Sequence, residues 1–144
     1  MAKFAFLANL FSTIFMCGLI WMVQVVHYPL FAKVGDTLFR QYHADHNFLI
    51  SLIVLPAMLI ELGTAAYFIL ARPVNVTLPE AWVGLALVLV AWAATFFLSV
   101  PAHGQLAAGF NQQAYSALVQ TNWIRTIAWT VRAFLVTWQV YKLM

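Results

Sequence analysis

Gln24-Val25-Val26-His27-Tyr28-Pro29 is the stretch in which the first long apolar run of the chain stops on a histidine and turns at a proline. The other histidines fall at corresponding places, because His43 and His46 precede the second apolar run and His103 follows the third. If the runs cross a bilayer in alternating directions, all four histidines come to lie near one membrane face. The stretch therefore predicts a bundle whose helix ends gather histidines.

The composition indicates a polytopic α-helical membrane protein. The chain has 144 residues, of which 65% are hydrophobic and 8% charged, whereas soluble domains carry roughly a quarter charged residues. Four apolar stretches each approach the ~20 residues that a helix needs to cross ~30 Å of hydrocarbon. We expect a single transmembrane domain over residues 1–144. The predicted fold is all-α, an antiparallel four-transmembrane-helix bundle with helices over about 4–27, 46–71, 80–100 and 122–142.

Prolines and a glycine set several of the predicted boundaries. Pro29 and Pro101 are expected to end the first and third helices, since proline breaks the helical hydrogen-bond ladder and restricts the residue before it. Apolar residues at helical spacing over 30–39 alternate with charged ones. This pattern predicts a short interfacial helix between helices 1 and 2, broken at Gly35.

The polar connector between helices 3 and 4 is rich in Gln, Asn and Ala. It predicts a second short surface helix, around residues 111–119. Helix 4 is then expected to begin later, with Thr121 or Asn122 as its N-cap, because both side chains can accept a hydrogen bond from a first-turn amide.

Charge and cysteine content exclude several classes of function. The net charge of +3 rests on 7 basic and 4 acidic residues without a Lys/Arg cluster, so no nucleic-acid partner is expected. Cys17 is the one cysteine, which excludes an internal disulfide and a CxxC metal site. The expected partners are the lipid bilayer and either a larger membrane complex or further copies of the chain.

The distribution of Lys and Arg predicts the orientation. Lys3, Arg72 and Lys142 lie on the side of the termini, while Lys33 and Arg40 lie on the histidine side. The positive-inside rule then favours cytoplasmic termini. We expect the bacterial inner membrane, with the histidines at its outer face.

Two ionisable residues fall in the middle of predicted helices, Glu61 in helix 2 and Arg132 in helix 4. Such residues cost about 2.5–3.5 kcal/mol on insertion scales and suggest function. One interpretation is a buried Glu61–Arg132 ion pair that locks the two helices together. The other is a cofactor pocket: His43 and Glu61 share a helix face, and Asn122, Arg125 and Arg132 form one stripe of helix 4.

The histidine spacing permits a metal site. His43 and His46 are three residues apart, as ligands in helical bundles often are. His27 and His103 come from other helices, so three or four imidazoles could meet on a transition metal (Fe, Cu or Zn) or on haem iron. The alternatives are interfacial hydrogen bonding and a proton-relay or anion-binding role.

The arginines of helix 4 suggest a further site. Arg125 and Arg132 could recognise an anionic or quinone-like head group, with Trp123 and Trp129 stacking nearby. The competing interpretation of Arg125 is that its side chain extends to the membrane interface.

Motifs along nearly the whole chain resemble those of a group of small uncharacterised bacterial four-helix integral membrane proteins. Their most specific part is the segment Thr121-Asn122-Trp123-Ile124-Arg125-Thr126. The other matching residues are Val26-His27-Tyr28-Pro29-Leu30-Phe31, His46, Glu61-Leu62, Pro101-Ala102-His103, Trp129 and Arg132. The resemblance implies the fold but no activity. A more distant similarity, in size and helix number only, is to anthrone-oxygenase-like membrane proteins.

Three functions follow as hypotheses. The first is a membrane oxidoreductase or cofactor-binding protein that holds a metal or haem with the four histidines and orients a lipophilic substrate with Glu61, Asn122, Arg125 and Arg132. The second is a non-catalytic accessory subunit of a larger membrane complex that binds pigment or lipid. The third is a small transporter or proton pathway through Glu61, which would require an oligomer.

Overall fold

Four helices make up nearly the whole chain in the computed structural model, which describes residues 1–144. Helix α1 spans Ala2–Phe31, α2 spans Asp36–Leu70, α3 spans Leu78–Leu106 and α4 spans Gln112–Tyr141. No strand is present, which confirms the all-α prediction. By length and composition, α1, α2 and α3 could each cross a membrane.

Pro29 and Pro101 lie inside helices, so the prediction that they end α1 and α3 is wrong. Each proline follows a π-helical turn, Val23–His27 in α1 and Thr95–Ser99 in α3. In a regular α-helix the proline ring would collide with a carbonyl of the preceding turn. A π-helical turn widens the helix at that point, which lets α1 continue to Phe31 and α3 to Leu106.

The predicted interfacial helix between α1 and α2 does not exist as a separate element. A turn over residues 32–35 separates the two helices, and Gly35 in this turn has a φ of 82°. From Asp36 onward the residues belong to the first turns of α2, a single helix of 35 residues. The pattern predicted over 30–39 therefore belongs to the end of α1 and the start of α2, and no glycine or proline between 36 and 47 stops the helix.

The second predicted surface helix likewise merges with α4. Asn111 caps it, since its Oδ1 accepts from the Ala114 amide at 2.9 Å. Thr121 and Asn122 are therefore not caps, and they lie within the helix. No glycine or proline occurs over 112–141, so the polar residues there are not enough to break the helix.

The interior of the bundle is unusually polar and its surface unusually apolar. Thirteen of the 37 buried residues are polar or charged. Large apolar side chains point outward instead; Phe4 is 79% exposed, Phe97 78% and Phe134 73%. A soluble protein buries such groups, so this arrangement agrees with the expected membrane protein.

An ion pair joins the start of α3 to the end of α4, at the end of the bundle away from the histidines. Thr77 and Glu80 form a capping box at the start of α3. The Glu80 carboxylate also accepts from Lys142 Nζ at 2.7 Å. The ends of these two helices are therefore joined by a partly exposed ion pair.

Candidate functional site

The four histidines meet at one end of the bundle, as their spacing predicted, but they meet as two pairs. His27 Nε2 lies 2.8 Å from His46 Nδ1, and His43 Nε2 lies 3.0 Å from His103 Nδ1. The ring centres of His46 and His103 are 6.0 Å apart. The histidines thus form one cluster with two internal hydrogen bonds.

The pairing defines what these imidazoles can do. In each pair one ring nitrogen donates and the other accepts, and an accepting imidazole is neutral. His103 uses its second nitrogen as well, since Nε2 lies 3.1 Å from the Tyr28 hydroxyl. His43, His103 and Tyr28 therefore form a continuous hydrogen-bonded chain. Its last two members also line a cavity beside the histidine cluster.

Phe31 explains why the imidazoles do not converge on one point. It is fully buried, and its ring centre lies 5.4 Å from that of His27, 5.9 Å from His43, 5.1 Å from His46 and 6.4 Å from His103. No group of three or more His, Cys, Asp or Glu side chains is arranged to hold a metal ion. The geometry gives the predicted metal or haem site no support.

Glu61 and Arg132 form a second polar centre deeper in the bundle. Arg132 Nε donates to Glu61 Oε1 at 3.0 Å. Thr13 Oγ1 donates to the same oxygen and Trp129 Nε1 to Oε2, both at 2.8 Å. Arg132 Nη2 donates to Asn9 Oδ1 and Thr13 Oγ1 at 3.1 Å. The predicted buried ion pair is confirmed, and it joins α1, α2 and α4.

Helix α3 reaches this centre through Gly84. A Cβ at that position would lie 2.7 Å from Arg132 Nη1, so α3 packs directly against the guanidinium. Neither Glu61 nor Arg132 lines either of the two main cavities, which lie beside the histidines. The arrangement supports a structural role for the pair and gives no support to the hypothesis that it orients a ligand.

Asn122 also has a structural partner. It is fully buried, and its Nδ2 donates to Gln24 Oε1 at 2.8 Å. Gln24 in turn donates to the Val119 carbonyl at 3.2 Å. Asn122 therefore links the π-helical turn of α1 to α4. It was predicted to bind a ligand, but it does not line the cavity beside the histidines.

A cavity of about 490 Å³ lies beside the histidine cluster, between α1, α2 and α3. Its volume falls within the ~300–1,000 Å³ typical of small-molecule sites. Thirteen of its 21 lining residues are hydrophobic, which favours a lipophilic occupant. The lining residues that have polar side chains are Tyr28, His46, Asn47, Ser51, Trp92, Thr95, Ser99, His103 and Arg125.

Arg125 is the charged group of the cavity wall. It is only 7% exposed, so it does not extend to the interface. Its Nη1 donates to Ser99 Oγ at 3.0 Å, but its Nε has no partner. The guanidinium lies 5.5 Å from the ring centre of Trp129, as predicted. Trp123 instead packs edge-on against Trp21.

Trp92 brings a second buried donor without a partner, its indole Nε1. Neither Trp92 nor Phe31 was predicted as a site residue from the sequence. The unpaired N–H of one and the central packing of the other are visible only in three dimensions.

Comparisons of the chain with protein-family models, with curated proteins and with solved structures found no match. The resemblance to small bacterial four-helix membrane proteins stays a prediction. The function of the site must therefore be inferred from its geometry.

Proposed function

We propose that the chain is an integral membrane protein, an antiparallel bundle of four transmembrane helices, whose cavity binds a lipophilic small molecule by its polar end. One observation carries the proposal. The buried guanidinium of Arg125 has an unpartnered N–H and lies in the wall of a largely apolar cavity. A binding site that fixes an apolar ligand through few polar groups has this composition.

The outer face of α4 supports a fourth membrane crossing. Ile127, Phe134 and Trp138 are 59%, 73% and 52% exposed. The two arginines that make the helix more polar, Arg125 and Arg132, are both buried. Lipid would therefore contact an apolar helix surface while the charged groups stay inside the bundle.

The length of α2 supports a site near one membrane face. At 1.5 Å per residue, 35 residues extend about 52 Å, more than the ~40–45 Å of a bilayer with its head groups. The first turns of α2, which carry Arg40 and the exposed Asp45, would then project into the head-group region. His43 and His46 would lie at that level, next to the cavity.

The cavity wall supports entry of the ligand from the bilayer. Leu55 of α2 and Phe96 and Val100 of α3 line the cavity, and each is at least half exposed. Their position indicates an opening between α2 and α3 that faces lipid. A lipophilic molecule would enter sideways and place its polar end at Arg125.

Ligand binding is the part of the first hypothesis that the geometry favours. The metal or redox part has no such support, because the histidines pair around Phe31. A proton pathway through Glu61 has none either, since that carboxylate accepts three hydrogen bonds within the protein and is not part of the cavity lining. The exposed aromatic residues are as compatible with contact to lipid as with contact to a partner subunit. They therefore do not favour the accessory-subunit hypothesis.

A matched pair of glycine substitutions tests the proposal. Gly104 lines the cavity and Gly18 does not, and a Cβ at either position meets nothing within 4 Å. We expect native mass spectrometry to show one amphiphile per wild-type chain. Gly104→Leu should weaken binding about tenfold or more, because a crowded site costs about 1–3 kcal/mol, whereas Gly18→Leu should not. Equal binding by both variants would place the ligand outside the cavity.

A further inference from the structure

The positive charge of Arg125 has no counter-charge in the protein. The chain has four acidic residues. Two of them pair elsewhere, with Arg132 and with Lys142, and the other two, Asp36 and Asp45, are exposed. A buried cation without a partner is unfavourable. A negatively charged ligand would supply the missing partner.

Two residues that line the cavity each carry a buried donor without a partner, and they indicate where such a ligand would bind. Arg125 Nε and Trp92 Nε1 are both buried and lack an acceptor. A buried N–H group normally has one. The ring of Trp129 lies near the guanidinium and Ser99 accepts from Nη1, but neither of them is a partner for Nε. An oxygen-rich head group would satisfy these donors.

We infer that the cavity takes an amphiphile with an anionic oxygen head, a carboxylate or a phosphate, and an apolar tail. The head accepts from Arg125 Nε and from Trp92 Nε1, and the tail lies against the hydrophobic part of the lining. This inference rests on the proposed function and names the ligand class of the same cavity. The charge-assisted hydrogen bond to the guanidinium distinguishes this ligand from neutral amphiphiles of the same length.

Competition binding tests the inference. The full chain in a neutral detergent at neutral pH is incubated with tritiated laurate and with unlabelled laurate, dodecyl phosphate or lauryl alcohol. We expect the preferred anion to compete at concentrations about tenfold or more below those of lauryl alcohol, as a hydrogen bond to a charged group implies. Stronger competition by dodecyl phosphate indicates a phospholipid-like head, and stronger competition by laurate a free carboxylate.

Two other outcomes separate this inference from the proposed function. If a tritiated sample of lauryl alcohol binds as tightly as laurate, the anionic head is refuted while ligand binding by the cavity stands. If none of the three amphiphiles binds, both are refuted.

Variants of the two donors complete the test. Arg125→Gln should reduce laurate binding to the level of lauryl alcohol, and Arg125→Lys should keep part of the preference for the anion. Trp92→Phe should lower laurate affinity several-fold without unfolding the protein, because its N–H has no partner within the chain. Trp82 is exposed and outside the lining, so Trp82→Phe is the matched control. An unchanged anion preference in Trp92→Phe and in the folded Arg125 variants would overturn the inference.

Discussion

Replacing Glu61 by leucine should destabilise the bundle strongly. The carboxylate accepts from Thr13, Trp129 and Arg132 at 2.8–3.0 Å, and Arg132 is only 3% exposed. Breaking a buried ion pair by removing one partner costs about 3–5 kcal/mol. We expect Glu61→Leu to reach the upper part of that range, because the Trp129 N–H also loses its acceptor, which costs about 1–3 kcal/mol in buried sites.

The double variant gives the sharper test. In Glu61→Leu/Arg132→Leu both charges are absent, so no unpaired charge remains in the interior. Replacing both partners of a buried pair by apolar residues is often neutral or stabilising. We therefore expect the double variant to be more stable than Glu61→Leu alone, with a coupling energy of about 0.5–3 kcal/mol between the two sites.

Denaturation in mixed detergent micelles, followed by tryptophan fluorescence, measures these free energies of unfolding. Glu80→Gln serves as control, since it breaks the more exposed pair with Lys142 and should cost less than about 1 kcal/mol. If Glu61→Leu unfolds within 1 kcal/mol of the wild type, or if the effects of the two leucines simply add, the buried pair does not hold the bundle together.

Two further predictions concern the packing around the polar groups. Gly84→Ala should destabilise the protein, because its Cβ would lie 2.7 Å from Arg132 Nη1, whereas Gly63→Ala, which meets nothing within 4 Å, should stabilise it by about 0.5–1 kcal/mol. Unfolding curves of the two variants should therefore shift in opposite directions, and a Gly84→Ala variant as stable as the wild type or more stable would contradict the close approach of α3. Because Phe31 contacts all four imidazoles, elemental analysis of the purified protein should find less than one Fe, Cu or Zn per chain. An equimolar metal or a Soret band would contradict that geometry and restore the metal hypothesis.

Much of the fold could be predicted because it depends on hydrophobicity alone. Apolar runs long enough to cross a bilayer predicted the helices, and the isolated charges of Glu61 and Arg132 predicted their pairing. The helix ends at Pro29 and Pro101 were mispredicted, because a π-helical turn before each proline lets the helix continue. Whether such a turn forms depends on packing against neighbouring helices, which local sequence does not describe.

The site was predictable only in part. The alternating direction of the apolar runs predicted that His27, His43, His46 and His103 lie at one end, since each is close to a helix end on the same side of the bundle. It could not show that they bond in pairs, nor that Phe31 packs against all of them. Hydrogen-bond partners depend on differences of about an ångström between side chains that are distant in sequence.

The sequence by itself determined the all-α class, the apolar lengths of the helices and the set of polar side chains that must lie inside the bundle, away from lipid. Only the tertiary structure decided which of those groups satisfy one another. Arg132 pairs with a carboxylate, whereas Arg125 and Trp92, which line the cavity, each have a donor without an acceptor. The physical reason is that burial makes every polar group need a partner, but the partner is assigned by the packing of helices, and periodicity within one helix cannot specify that packing.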